Sequence, residues 1–319
     1  MKRTFKFAVC CLAAVFFIPF TITLILSGVG LDKERIGLAL TESLTGKDKQ
    51  MAVSMNYAVG SESMDIEEYI AGVIAPAYDY CSNEEFLKAM AVMCRTYIVW
   101  CNENNLQNDT VFFNDIELEE RWGEEWQEKK AAVTLAVRRT EGEKITNGGT
   151  TIYPYCHMLT SGYTRNLRDE CSYLCEVMQT EDSLEDDYIN IYDFADKEFA
   201  ALIKKNIKDV YFDERNAAEQ LQVVEKTTGG YIVLIQVGNV VVDGDTFASM
   251  TGLASPSFTY IKTDEGIRFT VKGNGNGYGL SVAGAAKKAE QGASYKEILN
   301  YYFENITSVS YTHLTLPTT

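Results

Sequence analysis

The sequence predicts an α+β protein in which an N-terminal transmembrane helix precedes a two-lobed extracytoplasmic domain of packed helices and mixed or antiparallel strands. Three observations carry that expectation. An uncharged apolar run over residues 7–26 follows the cations Lys2, Arg3 and Lys6. Apolar residues at helical spacing mark residues 66–74, 84–101, 117–138 and 281–303. Between the last two lie β-rich runs punctuated by glycine, without the regular βαβ alternation of a doubly wound sheet.

The apolar run is long enough to cross the hydrocarbon core of a bilayer. Positive charge ahead of it holds the N-terminal tip in the cytoplasm and sends the rest of the chain outside. A cleaved signal peptide is the competing reading, but the run exceeds a usual signal core and no small-x-small cleavage site follows cleanly, so an uncleaved single-pass anchor over residues 1–30 is favoured. Residues 31–64 are polar and weakly patterned, as a stalk would be. The main domain is expected over residues 65–310.

Residues 66–74 show helical spacing, and 84–101 continue it with Leu87, Met90, Ala91, Cys94, Tyr97 and Ile98 on one face, so the two helices should pack together. Pro76 interrupts them and leaves a short exposed hairpin over 75–82, a natural place for a site. Residues 117–138 read as one amphipathic helix. Gly148-Gly149 within 144–155 suggests strand, turn and strand. The acidic run 181–187 reads as a solvated loop and 196–207 as a helix. Two β-rich runs around Gly238-Asn239 form a hairpin signal, and 258–271 adds more strand. A glycine-rich loop then leads into the helical stretch 281–303. No internal repeat is visible. The closing YTHLTLPTT, residues 311–319, carries no charged side chain and follows the natural end of the domain; it is expected to be a non-native tail, so His313 is set aside.

With 319 residues, 46% of them hydrophobic, the chain can bury a real core. A formal charge of −16 without a Lys/Arg cluster argues against nucleic acid, which needs a dense basic patch, and suits a domain outside the cytoplasm. Nineteen tyrosines could line a sugar-binding groove, although filling the core is the commoner use of such rings.

Of eight cysteines, Cys10 and Cys11 lie in the apolar run as small apolar residues, while Cys81, Cys94 and Cys101 lie around the second helix. Cys156, Cys171 and Cys175 gather near His157. Imidazole and thiolates at that spacing suit a structural Zn²⁺ on His157, Cys171 and Cys175; the rival is a disulfide between Cys171 and Cys175, or between one of them and Cys156, with His157 structural. The glycine-rich loop lacks the Lys-Ser/Thr of a P-loop, so phosphate binding is rejected.

Three segments carry a resemblance. IEEYIAGVIAPAYDYCSNEEFLKAMAVMCRTYIVW covers residues 66–100, HMLTSGYT covers 157–164, and GNGNGYGLSVAGAAKKAEQGASYKEILNYY covers 273–302, with weaker likeness at GLASPSF, 252–258. Together they make the chain similar to the stage II sporulation protein D family, and the likeness spans nearly all of residues 66–307. That family consists of lytic transglycosylases that cut the MurNAc–GlcNAc bond during engulfment in endospore formation. The resemblance therefore implies peptidoglycan glycan strands as ligand, a cell-membrane location, possible assembly with stage II sporulation proteins M and P, and no cofactor for the chemistry.

Glycosidic cleavage needs a carboxylic acid placed to protonate the leaving oxygen. In ungapped register the family's Glu falls on Ala77, which cannot donate a proton. Asp79 is the candidate substitute, against the strict geometry such a transfer demands. Glu67 and Glu68 read instead as first-turn charges facing a helix dipole. In the glycine-rich loop the family's His, Gln and Tyr fall on Asn276, Val282 and Ala283, while Gly273, Gly275, Gly277, Gly279, Ser281, Gly284 and Ala285 are kept. By resemblance the retained candidates for substrate contact are Arg95, Thr96 and Tyr97, then Thr160, Ser161, Tyr163 and Thr164, with Asn276 and Ser281; Arg95 could equally pair with a carboxylate and Tyr97 pack in the core. Three functions stay open: a glycan binder that has lost catalysis, an active enzyme using Asp79, and a scaffold that needs no glycan.

Overall fold

The computed structural model describes residues 53–56, 61–167 and 171–310. The expected anchor, most of the stalk and the 311–319 tail lie outside the described residues. Among the described residues no helix is long and apolar enough to cross a membrane. Helices and mainly antiparallel strands are mixed, as expected, and the described chain divides into two units: one takes the residues up to Pro154 with Lys288–Ile298 and those from Asn305, the other takes Tyr155–Lys287 with Leu299–Glu304.

The first unit opens with an antiparallel pair, β1 (Val53–Asn56) and β2 (Ser61–Met64), where the stalk was expected. Helix α1 (Ile66–Ile74) starts at Asp65, whose Oδ1 accepts from the Glu67 and Glu68 amides at 3.0 and 3.3 Å and so satisfies two of the donors every helix start leaves over. After the Ala75–Pro76 turn come the short α2 (Ala77–Tyr80) and the long α3 (Glu84–Glu103), capped by Asn83.

The single helix expected over 117–138 is two. A capping box of Asn114 and Glu117 begins α4 (Asp115–Trp122), which stops at Gly123, and α5 (Trp126–Arg138) follows one 3₁₀ turn later. Gly123 has φ 59° and ψ −137°, a conformation open essentially to glycine alone, and so it breaks the helix that the apolar spacing runs through. Helices α1, α3 and α5 pack on one another, burying Ile70, Val73, Phe86, Leu87, Ile98, Val133 and Val137. Strand β3 (Glu143–Asn147) lies along α3 and turns at Gly148-Gly149 into β4 (Thr150–Thr151), the expected hairpin.

The second unit begins with β5 (Cys156–His157) and contains β6 (Ile189–Ala195), α6 (Asp196–Asn206), β7 (Leu221–Lys226), β8 (Ile232–Val237), β9 (Val240–Asp243), α7 (Gly244–Thr251), β10 (Phe258–Lys262) and β11 (Gly266–Lys272). Two three-stranded antiparallel sheets, ordered β7-β8-β9 and β10-β11-β6, close with α6 and α7 around Phe199, Phe247, Phe258 and Phe269. Strand β6 was not foreseen. It alternates exposed and half-buried residues, with Ile189 and Ile191 on the outward side, which blurs the apolar-in pattern that marks a strand in sequence.

The short β12 (Leu280–Ser281) pairs in parallel with β5. The expected helical stretch 281–303 is again two helices, α8 (Val282–Glu290) and α9 (Tyr295–Tyr302), parted at Gly292 with φ 92°. The chain passes from the second unit to the first within α8 and back within α9. It ends in β13 (Ile306–Ser310), antiparallel to β3 in the first unit.

Candidate functional site

In the first unit the hairpin between α1 and α3 presents Ala77 as the first residue of α2. Beneath it, Ala75, Leu118 and Trp122 form a small core against which Tyr78, Phe113 and Trp126 pack. Asp79 on the same short helix accepts from Trp122 Nε1 at 2.8 Å and from Arg121 Nε at 2.7 Å, one donor on each carboxylate oxygen. The arrangement uses Asp79 as an acceptor, the reverse of what a proton donor must do.

Three candidates for substrate contact on α3 are turned inward. Arg95 is 2% exposed and grips both oxygens of Glu67, with Nε 2.9 Å from Oε1, while Nη1 donates to the Glu143 carbonyl at 3.0 Å. Glu67 stands in the first turn of α1, as expected, and is in addition the buried partner of Arg95; it also accepts from the Gly142 amide at 3.3 Å. Thr96 Oγ1 donates to the Val92 carbonyl at 2.6 Å and accepts from the Ile145 amide at 3.0 Å, tying β3 to the helix. Tyr97 is buried with its hydroxyl on Asp109, and burial above all pushes its phenol far above the ordinary range.

In the second unit the segments 157–164 and 273–279 run beside each other. The Leu159 amide donates to the Asn274 carbonyl at 3.0 Å, and the Asn274 amide returns a bond of 2.8 Å. The glycines permit this approach: a Cβ on Gly275 would stand 2.6 Å from that of His157, and Gly275 sits at φ 110°. His157 is buried, with Nδ1 3.0 Å from the Tyr278 carbonyl. Since a carbonyl only accepts, Nδ1 carries the hydrogen, and the bare Nε2 has no partner among the described residues. Burial lowers the imidazole to about 4, against the smaller opposing effect of that hydrogen bond.

Ser281 Oγ donates to Asp182 Oδ2 at 2.7 Å, and the Thr160 amide donates to the same oxygen at 2.7 Å. Asp182 thus ties the 157–164 segment to the start of α8. It lies in the 3₁₀ turn Thr180–Leu184, 1% exposed, where the sequence suggested only a solvated acidic loop. Burial raises its carboxyl above the ordinary value despite the two donors, and its Oδ1 has no partner among the described residues.

Ser161 donates from Oγ to the Gly229 carbonyl at 2.8 Å, and Thr164 Oγ1 donates to the Cys175 carbonyl at 2.8 Å. Tyr163 is half-buried with its hydroxyl 3.5 Å from the exposed Met178 sulfur. Asn276 accepts from the Tyr278 amide at 3.1 Å. Arg165 donates from Nη1 to both oxygens of Asp245, at 2.8 and 2.9 Å, and to the Asn276 carbonyl at 2.9 Å, with the Tyr278 ring centroid 4.3 Å away.

With this geometry in place, comparison with known proteins is informative. A family model described as Stage II sporulation protein matches residues 56–147, which hold the α1–α3 hairpin and the Glu67–Arg95 pair. The chain is 25% identical over 301 residues to Stage II sporulation protein D of Bacillus subtilis, covering 87% of this chain and 86% of that protein. It is 26% identical over 262 residues to Stage II sporulation protein D of Bacillus amyloliquefaciens, covering 77% and 74%. An uncharacterised protein of Brachyspira hyodysenteriae is 27% identical over 310 residues, covering 89% and 78%. The chain is thus similar to stage II sporulation protein D proteins along most of its length, and the family model matches its helical hairpin region.

Against the family's blocks, the placement of each expected residue is clear. Ala77 and Asp79 stand together on the hairpin; Arg95, Thr96 and Tyr97 serve the interior; Tyr163 and Asn276 keep partial exposure, while Ser281 is buried. The expected metal set is not assembled: among the described residues no group of three His, Cys, Asp or Glu side chains could hold an ion. The Cys175 sulfur is directed at the Tyr302 carbonyl, 3.2 Å away, and His157 points its donor at Tyr278. Cys175 is a thiol, so it takes part in no disulfide, and burial raises it to about 11, away from the thiolate that zinc requires. The sequence reading missed Asp182, Arg165 and the Trp122–Trp126 pair. Arg165 directly follows the HMLTSGYT block and could have been read with it; nothing in an acidic run marks which member is buried.

Proposed function

We propose that this protein is a sporulation-associated cell-wall protein that binds peptidoglycan glycan strands without cutting them, held at the cell membrane by residues 7–26 with its domain outside. One observation carries the reading. The position that matches the family's acid is Ala77, and the one carboxylate on that short helix, Asp79, uses both oxygens to accept from Arg121 and Trp122. Recruiting Asp79 as the acid would break a charge-assisted hydrogen bond in a partly buried pair, so an active enzyme using it is the weaker alternative. The Arg95 expectation is replaced: its guanidinium supports the fold, and contact with glycan falls to exposed or half-exposed groups such as Tyr163. Assembly with stage II sporulation proteins M and P is compatible with this role.

The test is release of anhydro-sugar products from denuded glycan strands by the unaltered protein and by Ala77→Glu. No release by the former, with activity in the latter about 10²-fold or more above background, is the expected result, since a positioned general acid contributes on that scale. Product release by the unaltered protein, abolished in Asp79→Asn, would overturn the reading.

A further inference from the structure

Along the outer side of α5 runs a groove of about 470 Å³, lined by Trp126, Gln127, Lys130, Ala131, Leu135 and Arg138, with Asp115 and Thr134 at its margin. Its volume lies within the span of ligand sites, about 300–1,000 Å³. The floor is apolar and open to solvent: Leu135 is 48% exposed and Ala131 is exposed beside it. Leu135 and Ala131 thus present an apolar strip to solvent on a helix that buries Val133, Ala136 and Val137 on its other side.

Three features fix the chemistry of an occupant. Trp126, half-buried, offers a ring to the groove and also packs against the Ala75–Leu118–Trp122 core beneath the hairpin that carries Ala77. Charge is the second feature. Residues 126–139 hold Lys129, Lys130, Arg138 and Arg139 against Glu128 alone, in a chain whose formal charge is −16. Lys129 pairs with Glu125, Lys130 with Asp115 and Arg139 with Glu84, whereas Arg138, on the groove wall, makes no ion pair among the described residues. A guanidinium is well matched to a carboxylate, which it can meet with two parallel donors. Third, Gln127 and Thr134 add hydroxyl-compatible donors and acceptors along the rim.

We infer that this groove is a subsite for a carboxylate-bearing amino-sugar chain: a sugar ring stacks on Trp126, apolar sugar faces lie over Ala131 and Leu135, and Arg138 takes the lactyl carboxylate. The inference rests on the glycan-binding reading above and locates part of it on α5. It requires no step of chemistry, only recognition.

The experiment is co-sedimentation of the full chain, in detergent, with denuded glycan strands and with the same strands after reduction of their carboxyl groups. Leu135→Glu and Arg138→Glu change exposed side chains and leave the helix core untouched, and their thermal midpoints serve as the check on folding. Each should weaken retention on denuded strands at least tenfold, and carboxyl reduction should weaken the unaltered protein by a similar factor while leaving Arg138→Glu unchanged. Retention by the unaltered protein that neither variant alters would overturn the groove assignment and leave the glycan reading standing. No retention by any form would overturn both. Loss of self-association in Leu135→Glu without loss of glycan would show a second copy of the chain in the groove and overturn the inference.

Discussion

Inside the first unit the Arg95 guanidinium meets both oxygens of Glu67 and the Glu143 carbonyl, with 2% and 5% exposure for the two charged residues. Removing one member of such a pair leaves the other charge buried and unpaired, at a cost of about 3–5 kcal/mol. Arg95→Met and Glu67→Gln should each lower the unfolding free energy by that order in urea titration, and the double replacement by apolar residues should cost less than their sum. An unchanged stability with weakened glycan retention would return Arg95 to the ligand.

His157 and Asp182 set a second expectation, and their signs oppose. The His157 folded value, about 4, lies below the ordinary 6.5, so the stability linked to its neutral form is full above 6.5 and is lost as pH falls through that window. The shift corresponds to something on the order of 3 kcal/mol. Asp182 is raised, so its contribution is present at low pH and lost as pH rises through its folded value. The thermal midpoint should therefore fall between pH 7 and 4.5 less steeply in His157→Gln than in the unaltered protein. Parallel curves for the two would sink the assignment of that slope to His157.

At the scale of elements, glycines decide where helices and turns stop. Gly123 separates α4 from α5 at a backbone conformation that other residues adopt only under strain of about 1–3 kcal/mol, although open space surrounds it. Gly238 in the β8–β9 turn combines positive φ with crowding, since a Cβ there would lie 2.0 Å from the Tyr211 carbonyl oxygen. Alanine should thus cost more at Gly238 than at Gly123, as measured by denaturant midpoints; equal costs would mean that the Tyr211 segment yields freely. The same comparison explains what was legible. The Gly148-Gly149 and Gly238-Asn239 turns announce themselves because flanking β-rich runs frame them, whereas Gly123 and Gly292 sit within sustained helical spacing that masks the break.

Over the whole molecule, the last segment serves both units. Tyr302 and Phe303 are fully buried in the second, where the Tyr302 hydroxyl meets Gln179 Oε1 at 2.9 Å, and β13 pairs with β3 in the first. Deleting residues 299–319 should therefore remove the protease-resistant core of both units in limited proteolysis; survival of either as a resistant fragment would show that it closes without its C-terminal piece. By itself the sequence determined the likeness to stage II sporulation protein D, the mixed α+β class and the hairpin at Pro76, because these follow from local pattern and from residue identity in an ungapped block. Only the tertiary structure decided which partners Arg95, Tyr97, Asp79 and Asp182 take, that Cys175 and His157 join no group of three metal-ligating side chains among the described residues, and that α5 leaves a groove open. A side chain's partner depends on contacts between residues far apart in the chain, such as Asp182 with Ser281, and no local spacing encodes which of several similar acids will be drawn inside.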